Sequence, residues 1–207
     1  WILSNGAKVV VLPTDHKKDQ ILFSFYKAGG ESLIPTEDLP SFDGSIFSVF
    51  QSAQGLSKFK GTELSKMLSG KMVSVNPFID DLYNGISGNS SVKDLETAFQ
   101  LLYLEFTDPR FDQEEYDNAT AQIKAVLPNL ENTPNFAFQK RFTKILYNDD
   151  PRNEVLSMEK LGKANLQTIE KNYRKLFADV AGATMVIVGD VNLETLKPLV
   201  EKYIGSL

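Results

Sequence analysis

ATMVIVGDVNLETLKPLVEKYIGSL, residues 183–207, is the stretch that decides the fold. Ala183–Val188 is apolar without alternation, which suits a strand in the middle of a sheet. Asn192 stands where a helix needs a side-chain acceptor for its first amides. That helix is expected to end near Gly205, with Pro198 inside it kinking or shortening it.

The strands that must flank this run lie far upstream. Trp1–Leu3 is apolar, Asn5-Gly6 is a tight-turn pair, and Lys8–Leu12 is β-branched, so the chain opens as a hairpin closed by Pro13. Ile21–Ala28 reads as a third strand, ended by Gly29-Gly30. Residues 31–44 read as an acidic loop with two prolines. Met72–Asn76 and Leu82–Ser87 read as two more strands, joined by a link holding Asn76-Pro77 and Asp80-Asp81.

Helices fill the rest. Residues 45–53 place Ile46, Phe47, Val49 and Phe50 at helical spacing, up to Gly55. Thr62 is the expected cap of a short helix stopped by Gly70. Ser90 or Ser91 caps a helix whose apolar face is Leu95, Ala98, Phe99, Leu102 and Phe106, broken at Asp108-Pro109-Arg110. A helix from about Asp112 to Leu127 is ended by Pro128, and Thr133-Pro134 starts another with the stripe Phe136, Phe138 and Phe142. Asp149-Asp150-Pro151 is a turn, and Asn165–Phe177 is helical again. The spacing assigns Phe99, Phe106, Phe111, Phe136, Phe138 and Phe142 mostly to the core, with a minority facing a chamber or a neighbouring domain. Short hairpins imply antiparallel pairing. The expected class is α+β: a mainly antiparallel sheet covered by helices on one face.

The 207 residues are 42% hydrophobic and 24% charged, enough for a full core and for one large domain. A net charge of −5 argues against a nucleic-acid or anionic-membrane surface, since both need a basic face. No apolar run approaches the ~18 residues that span a bilayer. The opening WILSNG has no initiator Met and no charged leader, so the chain is expected to be a domain excised from a longer protein.

One histidine and no cysteine limit the chemistry. His16 sits in TDHKKD and reads as a solvated surface residue, because a metal site needs several converging donors. Glu31, Glu37, Asp38 and Asp43 lack the spacing of a calcium loop and read as a solvated acidic loop. Asp80-Asp81 and Asp149-Asp150 read as turn residues. Gly29-Gly30 and the GISGNSS stretch from Gly85 to Ser91 match no phosphate-loop pattern and read as strand ends and a helix cap. Arg110 and Arg152 read as structural ion-pair donors rather than substrate clamps.

Several segments together resemble the pitrilysin/insulinase-type zinc metallopeptidases. They are the opening LSNGAKVVVLP (3–13), the block from Leu68 to Asp117, KNYRKLF (171–177) and the closing unit with GDV (189–191) and Y-x-G-x-L (203–207). The middle block is similar to the third, non-catalytic domain of large bacterial four-domain members. The resemblance implies an α/β sandwich of the LuxS/peptidase-like kind. In active members the first helix carries H-x-x-E-H, which gives two metal ligands and a general base. Here that helix is SIFSVFQSAQG (45–55), whose Ser48, Gln51 and Ser52 are neutral and bind zinc poorly. The helix expected to bring the third ligand begins with Glu114 and Glu115, which suit the positive end of a helix dipole without a metal.

No residue of this chain is therefore assigned as catalytic, cofactor-binding or metal-ligating. The resemblance implies a non-catalytic domain that forms chamber wall and peptide contacts, with zinc held in a catalytic domain elsewhere in the protein. The alternative is a domain of a proteolytically inactive assembly or binding scaffold. Expected partners are sister domains of the same chain and unfolded peptide, with no nucleic acid and no membrane span. The isolated fragment is expected to expose a surface around Leu33, Ile34 and Leu207 that promotes self-association. Bacterial relatives imply the periplasm or envelope.

Overall fold

In the computed structural model the chain forms β1 (Lys8–Pro13), β2 (Ile21–Ala28), α1 (Gly44–Ala53), α2 (Gly61–Met67), β3 (Val73–Ile79), β4 (Tyr83–Ser90), α3 (Leu95–Thr107), α4 (Gln113–Glu131), α5 (Pro134–Leu146), α6 (Met158–Lys163), α7 (Leu166–Leu176), β5 (Thr184–Gly189) and α8 (Leu193–Leu199). The backbone of residues 1–207 is described, and the side chains of all residues but 44, 45 and 52. The chain divides into two compact units. Unit 1 is residues 1–33, 56–110 and 174–207; unit 2 is residues 34–55 and 111–173.

Unit 1 holds a five-stranded mixed sheet in the order β1-β5-β2-β4-β3. β5 lies between β1 and β2, as its unbroken apolar run requires. The β1–β5 pair is parallel and the other three pairs are antiparallel. The opening hairpin is rudimentary. Trp1 and Val9 exchange backbone hydrogen bonds, and Ile2 bridges Lys8, but no full strand forms before β1. Pro77 lies within β3 and not in a link; β3 is an edge strand, where a missing amide costs no ladder bond. Gly85–Ser90 likewise belongs to the body of β4. One sheet face buries Val9, Ile21, Phe23, Phe25, Ile86, Met185 and Ile187. Phe106 of α3 packs between Phe25 and Phe177 on that side, at 5.5 Å from each ring.

Gly30 fixes the end of β2. It adopts φ +61°, and a Cβ there would lie 2.0 Å from the Asp80 carbonyl oxygen. Its amide donates to Oδ1 of buried Asn84, whose Nδ2 donates to the Leu176 carbonyl.

Unit 2 packs α1 against α4. Phe50 meets Tyr116 edge-on at 5.7 Å and stacks on Phe111, while Phe111 and Phe47 both contact Tyr173. Ile34 is buried here at 2% exposure and so is no part of an exposed patch, whereas Leu33 is exposed. A 3-10 helix, Thr36–Phe42, turns the acidic stretch inward and buries Leu39 and Phe42.

Helix limits follow capping more than proline. α2 starts at Gly61, ahead of Thr62, with Glu63 accepting from the Lys60 amide. Asp94 precedes α3, and Ser91 bonds to it rather than capping the helix itself. α4 runs through Pro128 to Glu131, because a proline one turn from the end removes a single amide, and Asn132 Nδ2 donates to the Pro128 carbonyl. Pro198 does not stop α8; the chain continues as a π-turn over Val200–Ile204, with the Gly205 amide on the Val200 carbonyl. α6 was not legible, being six residues long. α5 corrects the core assignment: none of its residues is buried, and Phe138 and Phe142 lie exposed, stacked on each other at 5.8 Å.

Candidate functional site

The strand alternation that buries one sheet face turns the other outward. The register aligns three rows across unit 1. Leu12, Val188, Leu22, Asn89 and Ser74 form one; Val10, Val186, Ser24, Ser87 and Asn76 the next; Lys8, Thr184, Tyr26, Gly85 and Phe78 the third. Leu12 and Leu22 remain 59% and 49% exposed. In the first two rows the β1–β5–β2 side is apolar except for Ser24, and the β4–β3 side is built of hydroxyl and amide side chains; the third row adds Lys8, Thr184, Tyr26 and Phe78. Lys8 is the single charge in the three rows. Such a surface offers apolar contact beside neutral hydrogen-bonding groups.

The residues singled out from sequence do not converge. His16 is exposed in the loop between β1 and β2, where its amide donates to Thr14 Oγ1. The acidic stretch is not a solvated loop throughout: Glu37 is exposed, but Asp38 is buried and Asp43 nearly so. Asp38 Oδ2 accepts from Lys171 Nζ at 2.9 Å and Asn172 Nδ2 at 2.8 Å. Asp43 Oδ2 accepts from Lys160 Nζ. A carboxylate taken out of water needs such a partner, and lysines more than a hundred residues downstream supply it. The Glu31 and Ser32 amides donate to the carbonyls of Asp80 and Asp81 in the β3–β4 turn. Asp149 pairs with Lys144, and Asp150 caps the Pro151–Asn153 turn. Arg152 donates to the Ile34 carbonyl, a structural bond to backbone. Arg110 is half-buried at the end of α3. Glu114 and Glu115 lie in the first turn of α4, where Asp112 Oδ1 accepts both their amides.

On α1, Ser48 is exposed and Gln51 is half-buried; Ser52 lies outside the described side chains. Among the described residues no group of three or more His, Asp or Glu side chains is arranged to hold a metal ion. Among the described residues no helix is long and apolar enough to cross a membrane. Perturbed acids in unit 1 are structural: the Met72 amide, then the Ser91 hydroxyl, hold the Asp94 carboxyl below its ordinary value. Hydrogen bonds from Lys202 and Tyr203 do the same for Glu96. The outward sheet face itself was missed in the sequence, although the alternation in Leu22–Tyr26 carries its signal.

No family model matches the chain. It is 27% identical over 206 residues to the zinc protease PQQL-like protein of Arabidopsis thaliana, covering 99% of this chain and 19% of that protein. To the probable zinc protease PqqL of Haemophilus influenzae it is 23% identical over 210 residues, covering 99% and 22%. Among solved structures, the periplasmic protease PqqL from Escherichia coli superimposes with a TM-score of 0.81 at 20% identity, over 99% of this chain and 22% of that one. A mutant of the ferredoxin protease FusC, in complex with Arabidopsis ferredoxin, gives 0.75 at 19% identity, over 100% and 22%. The chain thus spans about a fifth of the length of these relatives. The resemblance to the pitrilysin/insulinase-like zinc proteases holds over the whole chain, and the α+β fold matches theirs.

Proposed function

We propose that this chain is a single non-catalytic domain of a larger zinc metallopeptidase. Its outward sheet face serves as chamber wall and peptide contact for a catalytic domain elsewhere in the polypeptide. The observation that carries this reading is α1, the first helix after β2, where the resemblance would put the zinc-binding helix: it carries Ser48 and Gln51 in a chain with one histidine. Zinc-bound water and its carboxylate base would belong to the other domain, and no residue here takes a catalytic or metal-binding role. The sheet face supports the wall role: its apolar half suits side chains of an unfolded peptide, and its Ser and Asn half suits backbone amides without fixing a sequence. Partners on this reading are sister domains and unfolded peptide. The relative from Escherichia coli is named periplasmic, and we extend that compartment to this protein.

Zinc analysis and a peptidase assay, run on the 207-residue chain and on the full-length polypeptide, test the proposal. The full-length protein should hold zinc and cleave unfolded peptide, and the chain alone should do neither. Leu12→Glu with Leu22→Lys should lower cleavage by the full-length protein with the melting temperature unchanged. Stoichiometric zinc in the chain coupled to hydrolysis, or a full-length protein with neither zinc nor cleavage, would overturn it.

A further inference from the structure

α5 is begun like a helix destined for a core. Thr133 Oγ1 accepts the Phe136 amide, and Pro134 occupies the first turn. Phe138, Phe142, Ile145 and Leu146 then fall four, three and one residues apart, which aligns them on one side. All four are between 52% and 71% exposed. A contiguous stripe of this kind marks an interaction site. α5 contains no acidic residue, and Lys140 and Arg141 are exposed; the Lys140 charge also acts on the Glu159 carboxyl. Lys144 is already paired with Asp149 at 2.8 Å.

Charge and chain length identify the occupant. A second copy meeting the stripe through a two-fold axis would oppose Arg141 to Arg141 with no carboxylate on either helix. The relatives extend over about five times the length of this chain, so most of their polypeptide lies outside the region similar to it. Within one polypeptide the effective concentration of a docking segment is in the mM range, so a contact of modest area stays closed. We propose that the α5 stripe docks an apolar ridge bordered by carboxylates, supplied by a part of the same polypeptide outside residues 1–207. The carboxylates meet Lys140 and the Arg141 guanidinium, which takes a carboxylate through two parallel hydrogen bonds. This rests on the reading above that the chain is one domain of a longer protein.

The chain has no cysteine, so Phe142→Cys introduces a single thiol. Maleimide labelling at that position, followed by peptide mass spectrometry, should be fast in the 207-residue chain and at least about tenfold slower in the full-length protein. Hydrogen exchange of the 134–147 segment gives the same comparison without a substitution, should that variant fold poorly. In the full-length protein Arg141→Glu should restore much of the labelling of Phe142→Cys. Equal labelling and exchange in the two proteins would overturn the docking. So would protection that appears in the 207-residue chain as its concentration rises, which would make the occupant a second copy. Zinc content and peptidase activity of the same full-length sample are read separately. Protection without activity removes the function proposed above and leaves the docking; activity without protection does the reverse.

Discussion

The Lys160 ammonium lies 3.0 Å from Asp43 Oδ2 inside unit 2, with the two side chains only 5% and 12% exposed. The same ammonium donates to the Glu154 carbonyl at 2.6 Å. This pair ties α6 to the segment leading into α1, and each charge offsets part of the desolvation of the other. We expect Lys160→Met to cost about 3–5 kcal/mol, since it takes the ammonium away from a desolvated carboxylate. The double variant with Asp43→Leu should lose clearly less than the two single losses added. Urea unfolding of the four proteins checks this, and strict additivity would show that the contact carries no coupling.

Asn84 joins two parts of unit 1, accepting from the Gly30 amide at 3.1 Å and donating to the Leu176 carbonyl at 3.0 Å. Asn84→Ala leaves a buried donor and a buried acceptor unmade, each worth about 1–3 kcal/mol. A drop in the unfolding midpoint is expected, larger than for Asn76→Ala on the exposed side of β3. Equal effects would mean that water replaces both bonds.

Phe50 and Leu102 are each 1% exposed, in unit 2 and unit 1 respectively. Truncating either to Ala should cost about 2–5 kcal/mol through lost burial and the cavity left behind. Phe142→Ala, on the exposed stripe, should leave the melting temperature of the 207-residue chain within a degree or two. If Phe142→Ala proved the most damaging of the three, the helix faces would be reversed.

Asp94 accepts from the Met72 amide at 2.9 Å and the Ser91 hydroxyl at 2.7 Å, with Lys71 3.9 Å away. The amide bond is the main reason its carboxyl titrates below the ordinary value of 3.8. A depressed acid contributes stability above its unfolded pKa and loses it as pH falls through the folded one. Asp94→Asn should therefore lower the melting temperature at pH 7. The gap to the wild-type chain should close as the pH is taken below about 3.9. A gap independent of pH would assign the effect to geometry rather than charge.

Much of the fold was legible because it is written in local periodicity. The limits of β2 were readable to the residue, and the end of α3 at Asp108 and the start of α5 after Thr133 follow from breaker and capping chemistry that acts within four residues. Where local rules failed, a neighbour had changed the cost. Pro77 is tolerated because β3 has no partner on its outer edge, and Pro128 because Asn132 closes the last turn. The parallel β1–β5 pair joins residues more than 170 positions apart, a distance over which no local pattern carries information.

The sequence by itself determined that β5 lies inside a sheet, because the polarity of a run is a property of the chain alone. Only the tertiary structure decided which amphipathic faces are covered. Ile34, in an apparent loop, is buried, and Asp38 and Asp43 beside it meet lysines from the far end of unit 2. Phe138 and Phe142, in a helix patterned for a core, stand open. A stripe states that a face wants cover; whether cover arrives depends on what the rest of the chain brings to it.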